Sequence, residues 1–348
     1  MRVLQLGPYP PPHGGVQSNL VAIRAFLQKR NIPCAVINIT RHRKAEADEV
    51  YYPKNVLDLL WLLFRLRYDI IHLHVGGMLT QRLLRLALVC ALIPSRRSVL
   101  TFHSGGYPST REGKSIGPGS FAGFVLRRFD RVIGVNPEIM QFLQRLGVAE
   151  NRAQLIHPHA FLSDEEQLSS LPEPLSTFFG RRKPILISVG LLEPEYDLGL
   201  QIEVLGSILK EFPAAGLLII GSGSLERHLR KSVQMQPYAD HILLCGDLPH
   251  STTIRAIALS DVMLRTTLYD GDAISVREAL HLGTPVVATD NGMRPRGVYL
   301  VPKSNLDAIF QTTQQALAGV LVTKPHTIGP DEKNLHALLD LYRQLITS

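Results

Sequence analysis

Short, nearly continuous apolar runs at residues 3–6, 35–39, 70–73, 99–102, 132–135 and 154–156 alternate with stretches of helical spacing at 17–29, 57–67, 78–92 and 137–146. Strands that are apolar on both faces predict a parallel sheet covered by helices on either side. The pattern stops at 163–184, where Asp-Glu-Glu, a Ser-Ser pair, three prolines and Arg-Arg-Lys have the composition of a linker. It restarts at 185–189, 198–212, 216–220, 225–233, 242–244, 252–259, 262–264, 273–282, 285–288 and 298–301, and a last helical stretch covers 332–346. The predicted fold class is α/β. Two doubly wound, Rossmann-like domains, 1–170 and 171–330, face each other across a cleft, and 331–348 is a C-terminal helix packing back on the first domain. Ligands of such sheets bind at the carboxyl ends of the strands.

With 348 residues, 45% of them hydrophobic and 19% charged, the chain can bury two cores and is not disordered. Cys34, Cys90 and Cys245 are scattered and odd in number, which excludes a disulfide scaffold and a Cys-x-x-Cys zinc site. The N-terminus shows no secretory pattern and no segment is apolar for long enough to span a bilayer, so a cytoplasmic protein is expected. A formal charge of +7, mostly from Arg, suits phosphates or anionic lipid. No nucleic-acid module signature stands out, and no nucleic-acid partner is expected. Trp61-Leu-Leu-Phe-Arg-Leu-Arg-Tyr68 and Gln81-Arg-Leu-Leu-Arg-Leu86 carry Arg among Leu. They read as ordinary amphipathic helices or as a peripheral contact with the inner face of an anionic membrane.

Candidate chemistry gathers where predicted strands end. Gly14-Gly15 opens the first helix and lets an anion approach backbone N–H groups, yet matches neither a dinucleotide fingerprint nor a P-loop. His103 follows the strand at 99–102 and could donate to a sugar hydroxyl or a phosphate. His72 and His74 alternate with apolar residues and read as partly buried structure, because a third metal ligand is not evident. Ile219-Ile-Gly-Ser-Gly-Ser-Leu-Glu226 is a strand, a glycine turn and a helix. The richest segment runs from Arg265 to Ala288. Asp270-Gly271-Asp272 precedes a helix opened by Ala273, and Glu278 projects from the second turn. Two carboxylates so spaced can bind hydroxyls from both ends of an elongated ligand, with the N–H groups of Ala273, Ile274 and Ser275 directed between them.

This acid-x7-acid loop and helix, followed by Ala-Leu-x-x-Gly-Thr-Pro-Val-Val-Ala, resembles the retaining, nucleotide-sugar-dependent glycosyltransferases of family 4, which have the GT-B fold. The resemblance extends through Gly14-Gly15, Thr101-Phe-His103, the segment from Gly134-Val-Asn-Pro-Glu to Gly147-Val, Ser188-Val-Gly-Leu-Leu-Glu-Pro-Glu195 and Gly221-Ser-Gly223. The turn usually written Ile-Pro-Asn-Gly reads Ile156-His-Pro-His159 here. The resemblance implies a hexosyltransferase of polysaccharide or cell-envelope glycan synthesis. It needs no cofactor and no bound metal, and its partners are a nucleotide sugar and a glycan or lipid-linked acceptor.

Carried over position by position, it implies that Glu278 holds the donor ribose. His103 and Asp270 meet the donor sugar, with Gly271, Asp272 and the following amides assisting. Gly14, Gly15 and Gly190 lie along the phosphates, and Gly246 and Leu248 hold the base. The chain departs from the family at Leu191 and Tyr196, where Arg and Lys usually grip the diphosphate. Arg265, at a strand end, is the expected substitute cation. Two other readings stand beside this one: a non-catalytic nucleotide-sugar-binding subunit, and a nucleotide-sugar epimerase or phosphorylase-like enzyme on the same fold.

Overall fold

Seven strands, β1 (Val3–Gly7), β2 (Cys34–Asn38), β3 (Val50–Tyr51), β4 (Ile70–Val75), β5 (Arg97–Phe102), β6 (Arg131–Gly134) and β7 (Ala153–Leu155), pair in parallel in the order β3-β2-β1-β4-β5-β6-β7. Six more, β8 (Ile185–Val189), β9 (Gly216–Ile220), β10 (Ile242–Gly246), β11 (Val262–Arg265), β12 (Val286–Thr289) and β13 (Tyr299–Val301), form a second parallel sheet in the order β10-β9-β8-β11-β12-β13. The computed structural model describes residues 1–10, 15–40, 48–158, 171–269, 273–292, 294–319 and 332–347. The chain divides into Met1–His159 with Asp331–Ser348, and Ala160–Pro330. In each sheet the winding reverses next to the first strand, between β1 and β4 and between β8 and β11, and such reversals open a crevice beyond the strand ends.

The strands are central because they are apolar throughout: every residue of β1, β4 and β9 is buried. Several helices begin where a side chain accepts from the first turn. Asn55 caps Val56–Arg65 through the Asp58 amide at 2.9 Å, and Asn136 caps Pro137–Arg145 through the Ile139 amide at 2.8 Å. Ile139, Phe142 and Leu143 then fall on one buried face. The helix Lys333–Thr347 belongs to the N-terminal unit. Leu335, Leu338, Leu339 and Tyr342 share a core with Val3, Ile23, Phe26, Ile70 and Val99, and Arg30 meets Glu332 at 2.7 Å.

Three expectations change. The second half of the linker read at 163–184 contains the helix Leu175–Arg181, whose Leu175 and Phe178 enter the core under β8. Its apolar face is only two residues deep, and the surrounding prolines and charges conceal it from a composition reading. His72 and His74 are fully buried rather than partly so. The helices Arg111–Ser115, Phe121–Leu126 and Leu306–Leu317, and the two-residue strand β3, were not predicted. Phe121–Leu126 contains a glycine and is too short to show a period, and Leu306–Leu317 mixes Thr and Gln into its stripe.

Candidate active site

In the C-terminal unit the polar groups collect beyond the ends of β8, β9, β10 and β11. The loops after β8 and β9 are stitched together: the amide of Gly190 donates to Ile220 O and that of Leu192 to Ser222 O, both at 3.0 Å, and the Leu225 amide donates to Leu192 O at 2.9 Å. This closeness dictates the glycines. A Cβ on Gly221, whose φ is +136°, would lie 1.8 Å from Gly190 O, and one on Gly223 would lie 2.5 Å from Leu192 O. Gly190 is pressed in turn by the Tyr196 ring and by Arg265.

Arg265 ends β11 and is only 5% exposed. Its Nη1 donates to Val189 O at 2.7 Å, across the reversal between β8 and β11, and its guanidinium lies 4.6 Å from the centroid of the Tyr196 ring. The Thr266 hydroxyl donates to Tyr196 O at 2.8 Å, which holds that loop against β11. Arg294 donates to Thr289 O at 3.1 Å and to the Thr267 hydroxyl at 2.6 Å. Arg265 thus ends β11 with its guanidinium between Val189 O and the Tyr196 ring, and Leu191, in the loop after β8, is exposed.

Ala273 is the N-cap of Ile274–His281, as the sequence implies, and Glu278 sits in the second turn. Glu278 is 3% exposed, and its Oε1 lies 2.7 Å from His250 Nε2. Among the described residues His250 holds one oxygen and no side chain bonds Oε2. Sequence reasoning missed His250: it lies 28 positions away on another helix, His250–Leu259, and no motif links the two. Ser275 Oγ reaches Val189 O at 3.4 Å, which draws the helix start to the end of β8. Gly246 has φ +71° at a register irregularity of β10, and Leu248 is half-buried just beyond. Gly14, Asp270, Gly271 and Asp272 lie outside the described residues. Gly15 begins the first helix of the N-terminal unit.

In the N-terminal unit His103 follows β5, and its amide donates to Val75 O at 2.7 Å. Its Nε2 lies 3.1 Å from Nδ1 of His74, and His74 Nε2 lies 3.0 Å from Gln5 Oε1. Beside them His72 bonds Thr101 Oγ1 at 2.7 Å and Tyr342 Oη at 2.6 Å. Burial draws the pKa of His72 and of His103 down to about 3. Burial, with His72 and His103 as neighbours, holds His74 well below its ordinary value. All three imidazoles are neutral at pH 7. Among the described residues no group of three or more His, Cys, Asp or Glu is placed to hold a metal ion.

Two parallel sheets of Rossmann-like order, with polar groups gathered beyond strand ends in the C-terminal unit, are the architecture of GT-B proteins, the class of the solved structures the chain resembles. Residues 13–159 match the family described as Glycosyltransferase Family 4, and residues 176–300 match that described as Glycosyl transferases group 1. Together these matches span most of the chain, which belongs to the family-4, group-1 glycosyltransferases. An uncharacterised glycosyltransferase of Methanocaldococcus jannaschii is 25% identical over 180 residues, 51% of this chain and 43% of that protein, so the match spans less than half the relative's length.

Among solved structures, sucrose-phosphate synthase from Thermosynechococcus elongatus superposes over 100% of both chains with a TM-score of 0.73 at 16% identity. The starch synthase IV catalytic domain from Arabidopsis thaliana, bound to ADP and acarbose, covers 100% of both chains with a TM-score of 0.72 at 12% identity. HepE of Anabaena in complex with UDP-glucose covers 100% of this chain and 98% of its own, with a TM-score of 0.65 at 14% identity. At these identities the likeness establishes the fold.

Proposed function

We infer that the protein is a retaining glycosyltransferase that moves a hexosyl group from a nucleoside-diphosphate sugar to an acceptor hydroxyl, with no cofactor and no bound metal. The observation that carries this reading is Glu278, a buried carboxylate held by His250 through one oxygen, with the other bonded by no side chain among the described residues, on a helix whose start reaches the end of β8. That is the arrangement a ribose diol needs, since two hydroxyls can donate to one carboxylate. Solved neighbours hold ADP or UDP-glucose, which agrees with a nucleotide-sugar donor. Gly14, Gly15 and Gly190 would border the diphosphate, Gly246 and Leu248 the base, and Asp270, Gly271, Asp272, Ala273, Ile274 and Ser275 the donor sugar and its link to phosphate.

In the reaction the bond from the anomeric carbon to the diphosphate oxygen breaks, and the acceptor oxygen bonds the same carbon on the same face. The acceptor proton passes to the departing phosphate. The diphosphate gains charge as it leaves, so positive groups near the ends of β8 and β11 lower the barrier, typically by several kcal/mol where such donors have been deleted. Arg265 supplies that charge where Leu191 and Tyr196 do not. Thermal-shift titration against UDP-, GDP- and ADP-sugars tests the donor site, because a ligand of the native state raises the melting temperature. A shift with one nucleotide supports the reading. No shift with any of them overturns it in favour of a non-catalytic protein that has lost its donor site. Arg265→Ala with donor affinity and turnover intact would remove Arg265 from the mechanism.

The acceptor is a glycan or lipid-linked molecule presented at an anionic membrane surface on the cytoplasmic side. Leu57, Trp61 and Phe64, at i, i+4 and i+7 of Val56–Arg65, are 77%, 52% and 66% exposed while Leu62 and Leu63 are buried. Arg65 lies 4.5 Å over the Trp61 ring, Arg67 is exposed just beyond, and Arg82 and Arg85 are exposed on Gln81–Leu92, a helix whose Leu84 and Cys90 share a core with Leu62 and Leu63. No described helix is long and apolar enough to cross a membrane. Sedimentation with phosphatidylglycerol vesicles, and release on Trp61→Ser with Phe64→Ser, supports the contact. Equal sedimentation with neutral vesicles, or none with either, refutes it.

A further inference from the structure

Gln5, His74 and His103 form a hydrogen-bonded line across the adjacent strands β1, β4 and β5, and its polarity follows from its buried end. Gln5 Nε2 faces the carbonyl oxygen of Leu20 at 3.4 Å and Sγ of Cys34 at 3.1 Å. A carbonyl oxygen only accepts, so the amide nitrogen must point there and Oε1 must face His74. The amide oxygen also only accepts, so His74 carries its proton on Nε2, and its neutral ring leaves Nδ1 as a lone pair. That lone pair lies 3.1 Å from His103 Nε2, which must donate to it. Two donors or two lone pairs could not face each other at that distance. His103, neutral in turn, has a lone pair on Nδ1, and among the described residues no group bonds that nitrogen.

We propose that Gln5 and His74 are positioning residues that lock His103 as its Nε2–H tautomer, so that Nδ1 accepts from a ligand hydroxyl and cannot donate to a phosphate oxygen. The expectation that His103 donates to a sugar hydroxyl or a phosphate is thereby replaced: its one N–H is spent on His74, and it accepts from a hydroxyl instead. Only the identity of the hydroxyl, as one belonging to the donor sugar, rests on the proposed function. The lock itself rests on Gln5, Leu20, His74 and His103. The cationic alternative is disfavoured on every side. His72 lies against His74 with ring centroids 4.1 Å apart and planes tilted by 33°, its own nitrogens are taken by Thr101 and Tyr342, and no carboxylate of the described residues bonds any of the three rings. A hydroxyl-accepting imidazole at the end of β5 would select a donor sugar by the presence of that hydroxyl, because an unmet buried lone pair and a displaced water penalise the analogue that lacks it.

The test is the imidazole nitrogen spectrum of the full chain carrying ¹⁵N-histidine, with His103 assigned by the signals lost in His103→Gln. The expected result is one tautomer of His103, protonated at Nε2 and bare at Nδ1, unchanged from pH 8 to pH 5.5. Gln5→Met removes the acceptor that orients His74 while keeping the volume. His103 should then exchange between tautomers, and kcat should fall roughly tenfold or more, as wrong-tautomer variants do elsewhere, with the donor KM little changed. A proton on Nδ1 of His103 in the unaltered chain overturns the proposal, as does an unaltered His103 spectrum in Gln5→Met. The first needs no variant to fold. If the unaltered chain shows the expected spectrum but turns over no nucleotide sugar, the lock stands and the proposed function falls. If it turns over a nucleotide sugar with a proton on Nδ1, the lock falls and the proposed function stands.

Discussion

Lowering the pH from 7 to 5 should weaken the N-terminal unit through the three histidines that its fold keeps neutral. His72 and His103 titrate at about pH 3 in the folded chain and His74 well below its ordinary value, in each case chiefly because burial penalises the cation. In the unfolded chain all three titrate near pH 6.5. Between those values the unfolded chain binds more protons. Stability is therefore full above about pH 6.5 and is lost progressively as pH falls toward 3. Each histidine held neutral accounts for about 2 kcal/mol between pH 7 and pH 5, and the three together for at most about 6 kcal/mol. That is a large share of a typical domain's stability. Denaturant midpoints at pH 7, 6 and 5 would measure it, read by circular dichroism and by Trp61, the chain's one tryptophan, which lies in this unit. His72→Gln keeps donors and acceptors near Thr101 and Tyr342 but cannot titrate, so it should reduce the pH slope by about a third whatever it does to stability at pH 7. An identical slope in variant and parent would refute the reasoning.

Gly221→Ala should unfold or severely weaken the C-terminal unit, by about 3 kcal/mol or more, because its Cβ meets Gly190 O at 1.8 Å in a left-handed backbone. Gly199→Ala, with open space at its Cβ inside the helix Leu198–Ile208, should instead stabilise by about 0.5–1 kcal/mol, and denaturant unfolding distinguishes them. Glu278→Gln should raise the donor Kd about tenfold or more by calorimetry, since hydrogen bonds to a charged group are worth about 1.5–3 kcal/mol. Tyr342→Phe, which leaves His72 Nδ1 without its partner, should cost about 1–3 kcal/mol of stability and leave donor affinity unchanged.

The two-sheet architecture was legible because the strands are buried on both faces, as the unbroken apolar runs of β4 and β9 show, and because their alternation with helices repeats twice. Glu278 was legible because one helix carries it at a fixed distance from its loop. His250 and the direction of the Gln5–His74–His103 line were not. Each depends on side chains that meet only after strands or helices far apart in the chain are packed, and on which atom of an amide faces a carbonyl. The exposure of Leu57, Trp61 and Phe64 was likewise undecided in the sequence, where the same helix could have turned that stripe inward. Leu175–Arg181 was hidden for the opposite reason, its two core residues being outnumbered by prolines and charges.

Where the resemblance leads one to expect two cations, the chain has Leu191 and Tyr196, and Tyr196 is built into its surroundings. Tyr196 presents its ring to Arg265 at 4.6 Å, its carbonyl to Thr266 and its edge to the space beside Gly190, so this loop packs on an arginine from β11. Tyr196 is coupled to Arg265, and placing a lysine at 196 alone should fail. Tyr196→Lys would set an ammonium against a guanidinium that is already buried, a repulsion on the order of 1–3 kcal/mol at this separation. It would also remove the aromatic face that shields Arg265. Donor affinity in Tyr196→Lys should therefore fall below that of the parent, with a lower melting temperature, when both are titrated with the nucleotide sugar that binds. If the lysine instead raised donor affinity at unchanged stability, Tyr196 would be a plain loss of a phosphate contact, and Arg265 would be a structural bridge between β8 and β11 with no part in holding the diphosphate.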